Sequence, residues 1–194
     1  MGPLGKLYNI IIHIQSSPQR MQKFLRISKG HRPARDNKTR WNSWEKAIRV
    51  AVTSPVHEAI KTYLDDYMDE ECQLDALSDS DWDLLKEIQT FLSPLAQATM
   101  ALQSNSNTLD RVLPAMDFIL GRFESGKNEY AAHPVMGSMF NSGWAKMEKY
   151  YRMTDDTPVY VAALILNPRY KWAYIRKNWD PSWFPRAEQL MLSL

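Results

Sequence analysis

The stretch with the clearest chemical potential runs from Arg35 to Arg49, where Trp41 and Trp44 stand three residues apart among basic side chains. Lysine and arginine bind phosphates, and an exposed indole can stack on an unpaired base with a gain of ~1–3 kcal/mol. The alternative is that both tryptophans face the core, while the basic side chains keep the surface soluble. Residue chemistry leaves both interpretations open, although the indoles lie inside a positive run and not at its edge.

Charge is segregated along the chain. Residues 19–49 hold ten Lys or Arg against two acidic residues, and residues 65–87 hold ten Asp or Glu against Lys86 alone. The two blocks nearly cancel in the net charge of +2. They nevertheless produce local fields that the net charge hides.

Residues that could form a metal or catalytic site are scattered. No histidine has a second histidine within one helical turn, which argues against a zinc site. Asp66 and Glu70 could hold a hard divalent cation, but a solvated helix end accounts for them more simply because carboxylates in a row are common. The chain contains neither a G-x-S-x-G turn nor a phosphate-binding glycine loop. We therefore predict no self-contained active site, no bound metal and no cofactor.

Length and composition indicate one globular domain covering residues 1–194. The chain is 44% hydrophobic and 24% charged, which is typical of a folded protein. Its apolar runs fall short of the ~20 residues that a membrane-spanning helix needs. The lone Cys72 has no partner for an internal disulfide. These features predict an intracellular protein that does not enter a membrane.

Periodic apolar residues predict a mainly α fold. Ser80 and Asp83 predict a capping box that opens a long helix, which Pro94 should bend. Thr108 is the predicted cap of the next helix. The apolar stripes of the two helices are Leu85, Ile88, Leu92, Leu95, Thr99 and Leu102 in the first, and Leu109, Val112, Leu113, Met116, Ile119, Leu120 and Phe123 in the second.

Further helices are expected over residues 5–15, from the Ser17–Pro18 start signal, and over residues 42–52. The segment Pro158–Trp172 suits either a buried strand or a buried helix, and we favour a helix because no partner strand is predicted elsewhere. The sequence therefore predicts about eight helices and little or no sheet.

The order of several motifs resembles the central part of a fungal-type hAT-superfamily transposase. TRWNS, within DNKTRWNSW (Asp36–Trp44), is the most recognisable. The others are SSPQRMQKF (Ser16–Phe24), LSDSDWDLLKEIQTFLSPLAQAT (Leu77–Thr99), the helix from Thr108, KYY (Lys149–Tyr151) and AALILNPRYKW (Ala162–Trp172). Together these motifs span nearly the whole chain.

The resemblance implies a fragment of a larger transposase, in which a long helical insertion interrupts a ribonuclease-H-like catalytic domain. Residues 1–35 and 158–194 would flank the insertion, and residues 36–157 would form it. The carboxylates that bind divalent metal such as Mg²⁺ in that family lie outside the matching part, and Asp36 matches no catalytic position. We therefore expect a nuclear, non-catalytic, DNA-binding fragment that could associate with a second copy or with a full-length transposase.

The resemblance also implies roles for two residues. In the family, the tryptophan of this motif stacks on a base turned out of the helix at the transposon end, so Trp41 would be the stacking group and Arg40 its basic partner. Charge alone adds Lys38 and Arg35 as candidate phosphate contacts. Trp44 is expected to be structural support for Trp41.

Two other functions stay open. The chain could be an interaction or scaffold module in which Trp144, Trp172, Trp179 and Trp183 cover a partner, or a gene remnant without a selected function. A surface that once faced a catalytic domain would leave an exposed apolar patch, which we predict near Leu4–Ile14 or Val159–Leu166.

Overall fold

The computed structural model describes residues 1–35, 41–67, 74–103 and 108–193. Within these ranges it contains ten α-helices, three short 3₁₀ helices and no strand. The predicted mainly α fold is therefore confirmed. The chain forms two compact units, Met1–Gln97 and Ala98–Leu194.

The first unit is built from four helices and most of a fifth. They are α1 (Pro3–Gln15), α2 (Pro18–Ile27), α3 (Trp41–Ala51), α4 (Val56–Tyr67) and α5 (Asp79–Leu102). The last of these continues through Pro94 without interruption and contains the boundary between the units.

The second unit contains five helices. They are α6 (Val112–Glu129), α7 (Met136–Met153), α8 (Val159–Leu166), α9 (Lys171–Asn178) and α10 (Phe184–Leu192), and the three 3₁₀ helices are Leu109–Arg111, Thr154–Asp156 and Pro181–Trp183. The ambiguous segment after Pro158 is thus helical, as the sequence analysis favoured.

The start of α5 differs from the prediction by two residues. The backbone N–H of Asp81 donates to Ser78 Oγ at 3.2 Å, and the backbone N–H of Ser78 donates to Asp81 Oδ2 at 3.0 Å. The capping box is therefore Ser78 with Asp81, and the predicted pair Ser80 and Asp83 is wrong. Both pairs fit the same sequence pattern, and the chain uses the one whose aspartate also binds Lys6, at 2.8 Å.

The core of the first unit surrounds α1, four of whose apolar side chains are at most 2% exposed. These side chains are Leu7, Ile10, Ile11 and Ile14, and they share the unit's core with Phe24, Ile48, Ile60, Tyr63, Trp82, Leu85 and Ile88. The predicted exposed apolar patch near Leu4–Ile14 is therefore wrong, because the unit's own helices cover this face.

The core of the second unit is a cluster around α8. Val161, Leu164 and Ile165 pack with residues of α6, α9 and α10, among them Leu113, Ile175 and Leu190. The two ends of α8 are exposed, with Val159 at 41% and Leu166 at 72% exposure. The apolar surface predicted near Val159–Leu166 is therefore limited to these two side chains, since Val161, Ala162, Leu164 and Ile165 between them are buried.

Candidate functional site

A basic surface lies in the first unit, where five exposed cationic residues recur at every third position. We define the basic surface as Lys23, Arg26, Lys29, Arg32 and Arg35. The segment 1–35 contains no acidic residue. Within the described part of the chain, no carboxylate forms an ion pair with Arg26, Arg32 or Arg35. These three side chains are exposed, and no carboxylate of the described residues neutralises them by an ion pair.

Local hydrogen bonds fix the backbone conformation of the part of this surface that follows α2. The helix ends where Lys29 and Gly30 take positive φ angles of 52° and 86°, and the Gly30 N–H donates to the carbonyl of Leu25 at 2.8 Å. The buried Ser28 donates to the His31 carbonyl at 2.6 Å. The chain beyond this turn is tied to α1, because Gln15 Nε2 donates to the carbonyl of Pro33 at 3.2 Å.

Of the residues predicted to contact DNA, one belongs to the basic surface and the side chains of the others lie outside the described part of the chain. Arg35 is exposed and belongs to it. Lys38 and Arg40 lie outside the described residues, and so does the side chain of Trp41, although its backbone begins α3. Trp44 is half-buried against Tyr8 of α1, with ring centroids 6.2 Å apart, so it helps to hold α3 on α1.

A cleft with a volume of about 350 Å³ opens in the second unit. Its aromatic lining comes from α7 and from the residues around the 3₁₀ helix Pro181–Trp183. The aromatic residues are Trp144, Tyr151, Trp179 and Trp183, and the charged ones are Glu124, Glu148, Arg152, Asp155 and Arg186. The cleft therefore combines stacking surfaces with both hydrogen-bond donors and acceptors.

Three of the cleft's rings form a continuous aromatic wall, which we define as Tyr151, Trp179 and Trp183. Every pair of these rings has centroids 6.2–6.4 Å apart. Trp183 is 46% exposed and presents the most open ring of the three. Rings in mutual edge and tilted contact stabilise one another, so the wall is fixed before any ligand arrives.

Asp117 of α6 anchors this wall. Its carboxylate accepts hydrogen bonds from Tyr151 Oη at 2.7 Å, Tyr174 Oη at 2.9 Å and Trp179 Nε1 at 3.0 Å. Burial, together with the Asp117 charge and its hydrogen bonds, raises the pKa of Tyr151 and of Tyr174 well above the usual tyrosine value. Both phenols therefore stay protonated donors at neutral pH.

The polar rim of the cleft carries both signs of charge. Arg152 pairs with Glu148 at 2.6 Å, and Arg186 donates to the backbone carbonyl of Asp155 at 3.2 Å. Glu124 accepts from Trp144 Nε1 at 3.2 Å. The rim is thus suited to a ligand that both donates and accepts hydrogen bonds.

Sequence reasoning did not find Asp117 as the anchor of this site. Its three donors lie 34 to 62 residues further along the chain, so no local spacing connects them. Of the four tryptophans proposed as a partner surface, three line the cleft, whereas Trp172 packs against the core cluster of the second unit.

The protein has a mainly α fold, with one candidate binding surface in each unit. Comparison with family models, with curated proteins and with solved structures gave no match. Among the described residues, no group of three His, Cys, Asp or Glu side chains could hold a metal ion. In the same ranges, no helix is both long and apolar enough to cross a membrane.

Proposed function

We propose that this chain is a non-catalytic DNA-binding protein of the hAT transposase type. It contacts the DNA backbone through the basic surface of the first unit and an unpaired base through Trp41, with Arg40 beside it. The observation that supports the proposal is the row of exposed cationic side chains from Lys23 to Arg35, in a segment without a single acidic residue.

The charge of this surface is suited to a polyanion. A duplex carries one phosphate per ~1.7 Å of axis, and each neutralised phosphate releases condensed counterions. Five cations within 13 residues offer several such contacts at once. Affinity should therefore depend strongly on salt, and this dependence gives a direct measure of how many phosphates are contacted.

The experiment measures binding of the full chain to hairpin-ended, flapped and fully paired DNA over a range of salt concentrations. Arg32→Gln together with Arg35→Gln should weaken binding to all three DNAs and should reduce the slope of log affinity against log salt by about 2. Trp41→Ala should weaken binding to the flapped DNA more than to the paired one.

The matched control removes two exposed arginines of the second unit, Arg122→Gln and Arg176→Gln. This control makes the same change in net charge and should leave the salt slope unchanged. Absence of binding at low salt, or an equal loss of slope in both double variants, would contradict the proposal.

A further inference from the structure

We infer that the cleft of the second unit binds a nucleobase, stacked on Trp183 and hydrogen-bonded at its edge by the charged rim. The base could belong to a free nucleoside or to an unpaired position of a single strand. This inference does not depend on the basic surface, because the two sites share no residue and lie in different units.

The size of the cleft limits its occupant. A volume of about 350 Å³ is near the lower end of the ~300–1,000 Å³ found for ligand pockets. Such a cleft accommodates a small molecule or a single projecting group. It is too small for the face of a partner helix.

The aromatic wall favours a flat ligand. The polar tips of Tyr151 and Trp179 are held by Asp117, which is not among the residues that line the cleft. Their carbon faces and edges, together with the exposed ring of Trp183, therefore form the apolar side of the site. A wall already fixed by hydrogen bonds loses little conformational freedom when a ligand stacks on it.

A small cation fits the wall poorly, although aromatic rings attract cations. The three rings touch one another at centroid distances of 6.2–6.4 Å, which leaves no space between them for an ammonium group. Arg152 and Arg186 also line the cleft beside three carboxylates, so the rim offers a cation only a small net negative charge.

An anion fits the rim no better. Glu124, Glu148 and Asp155 outnumber the two arginines, and Arg152 is already paired with Glu148. A neutral, planar heterocycle avoids both difficulties.

The edge of a nucleobase offers the groups that this rim can bind. Carboxylates accept hydrogen bonds from exocyclic amino groups and ring N–H groups, and guanidinium groups donate to ring nitrogens and carbonyl oxygens. Arg152 uses one of its N–H donors on Glu148, and the guanidinium and carboxylate groups keep further donors and lone pairs, so the rim supplies both kinds of partner beside one stacking surface. A base presents the complementary donors and acceptors in one plane, which makes it the ligand class that uses all of these groups.

The experiment titrates the full chain with adenosine, guanosine, cytidine and uridine in a calorimeter. Nucleosides carry no phosphate, so the basic surface contributes little to this signal. At least one nucleoside should bind saturably. Trp183→Ala should weaken that binding by roughly fivefold to 150-fold, the equivalent of one lost stacking contact.

Trp172→Phe is the control, because Trp172 packs on the core cluster and does not line the cleft. It should leave nucleoside binding unchanged, and circular dichroism should show that both variants are folded. Lack of binding for all four nucleosides, or equal effects of the two substitutions, would overturn the inference.

A second titration distinguishes a base within a single strand from a free nucleoside. A short single-stranded oligonucleotide is titrated at about 0.2 M salt into the Arg32→Gln/Arg35→Gln protein, in which the basic surface is weakened. Tighter binding of the strand than of the nucleoside, still dependent on Trp183, assigns the site to a base within a strand. Equal affinities assign it to the free nucleoside.

Light scattering tests whether a second copy of the chain occupies the cleft. A stable dimer that Trp183→Ala dissociates would place a second copy of the chain in the cleft and would overturn the inference. Failure of nucleoside binding alone leaves the DNA-binding proposal intact, since that proposal is judged by the salt slope on duplex DNA.

Discussion

Phe140 of α7 occupies the space that a β-carbon on Gly126 of α6 would need, and Phe123 of α6 stands in the same way over Gly143 of α7. The two contacts are reciprocal, so each helix contributes one glycine and one phenylalanine to the crossing. Glycine permits close approach because it has no side chain, and the facing ring fills the space. The α6–α7 pair that supports the cleft therefore depends on two glycines.

Gly126→Ala should destabilise the protein by about 1–3 kcal/mol, because the added methyl group overlaps the Phe140 ring and the core cannot expand freely. Gly121→Ala is the matched control in the same helix, since its β-carbon would meet no atom within 4 Å. That substitution should stabilise by roughly 0.5–1 kcal/mol through helix propensity. Urea unfolding midpoints measure both, and equal stabilities would contradict the close crossing.

Asp117→Asn should destabilise the second unit by about 1–3 kcal/mol, because an amide cannot accept from three donors as a carboxylate does. The exposed Glu129 lies on the same helix, and Glu129→Gln makes the same charge change without this loss. Urea unfolding at neutral pH compares the two variants. A Glu129→Gln protein as unstable as Asp117→Asn would show that the anchor has no special role.

The same anchor should make stability fall at alkaline pH. The folded-state pKa values of Tyr151 and Tyr174 are raised, first by burial and then by Asp117. Their contribution to stability is therefore complete below the unfolded pKa of about 10 and decreases as pH rises above it. In Asp117→Asn the charge is gone, so this alkaline decrease should be shallower when unfolding is measured between about pH 9 and pH 11.

The start of α5 should make stability fall at acidic pH. Burial alone would raise the pKa of Asp81, but hydrogen bonds from Lys6 and Ser78 outweigh it and lower the pKa below the usual value. The contribution is therefore present above the unfolded pKa of about 3.9 and is lost as pH falls through the folded value. Asp81→Asn should make the loss of stability at acidic pH smaller in urea unfolding, and should reduce stability at neutral pH by about 1 kcal/mol. The amide oxygen can still accept from the Ser78 N–H, but it has no charge to pair with Lys6.

Asp83→Asn provides the comparison for that experiment. Asp83 pairs with Lys86 at 3.0 Å, but both side chains are more than half exposed. Such a pair contributes ~0–1 kcal/mol. Asp83→Asn should therefore leave the loss of stability at acidic pH as it is in the unaltered protein. A larger effect at Asp83 than at Asp81 would favour the capping box originally predicted.

Trp44 should contribute to folding through its contact with Tyr8. A double-mutant cycle of Trp44→Ala and Tyr8→Ala should give a coupling of about 0.5–1.5 kcal/mol, which is typical of an aromatic pair. If the losses of unfolding free energy in the two single variants simply add in the double variant, the contact between Trp44 and Tyr8 does not stabilise the protein. Trp44 would then not support α3 as its position indicates.

The sequence by itself determined the helical class and much of the helix order. Apolar stripes with helical spacing and the Ser17–Pro18 start signal are local properties, because residues three and four apart share a helix face whatever surrounds them. Arg35, proposed from charge alone as a phosphate contact, is exposed in the structure. The roles of Arg40, Lys38 and the Trp41 side chain stay predictions, since they lie outside the described residues.

Only the tertiary structure decided which residues meet across the chain. Asp117 and Trp179 are 62 residues apart, and their contact depends on how α6 packs with the later helices of the second unit. The same holds for Lys6, which selects Asp81 as the capping partner from 75 residues away. Apolar faces that looked unpartnered along the chain are covered by neighbours that no local pattern identifies, because burial depends on the packing of distant segments and not on spacing within one helix.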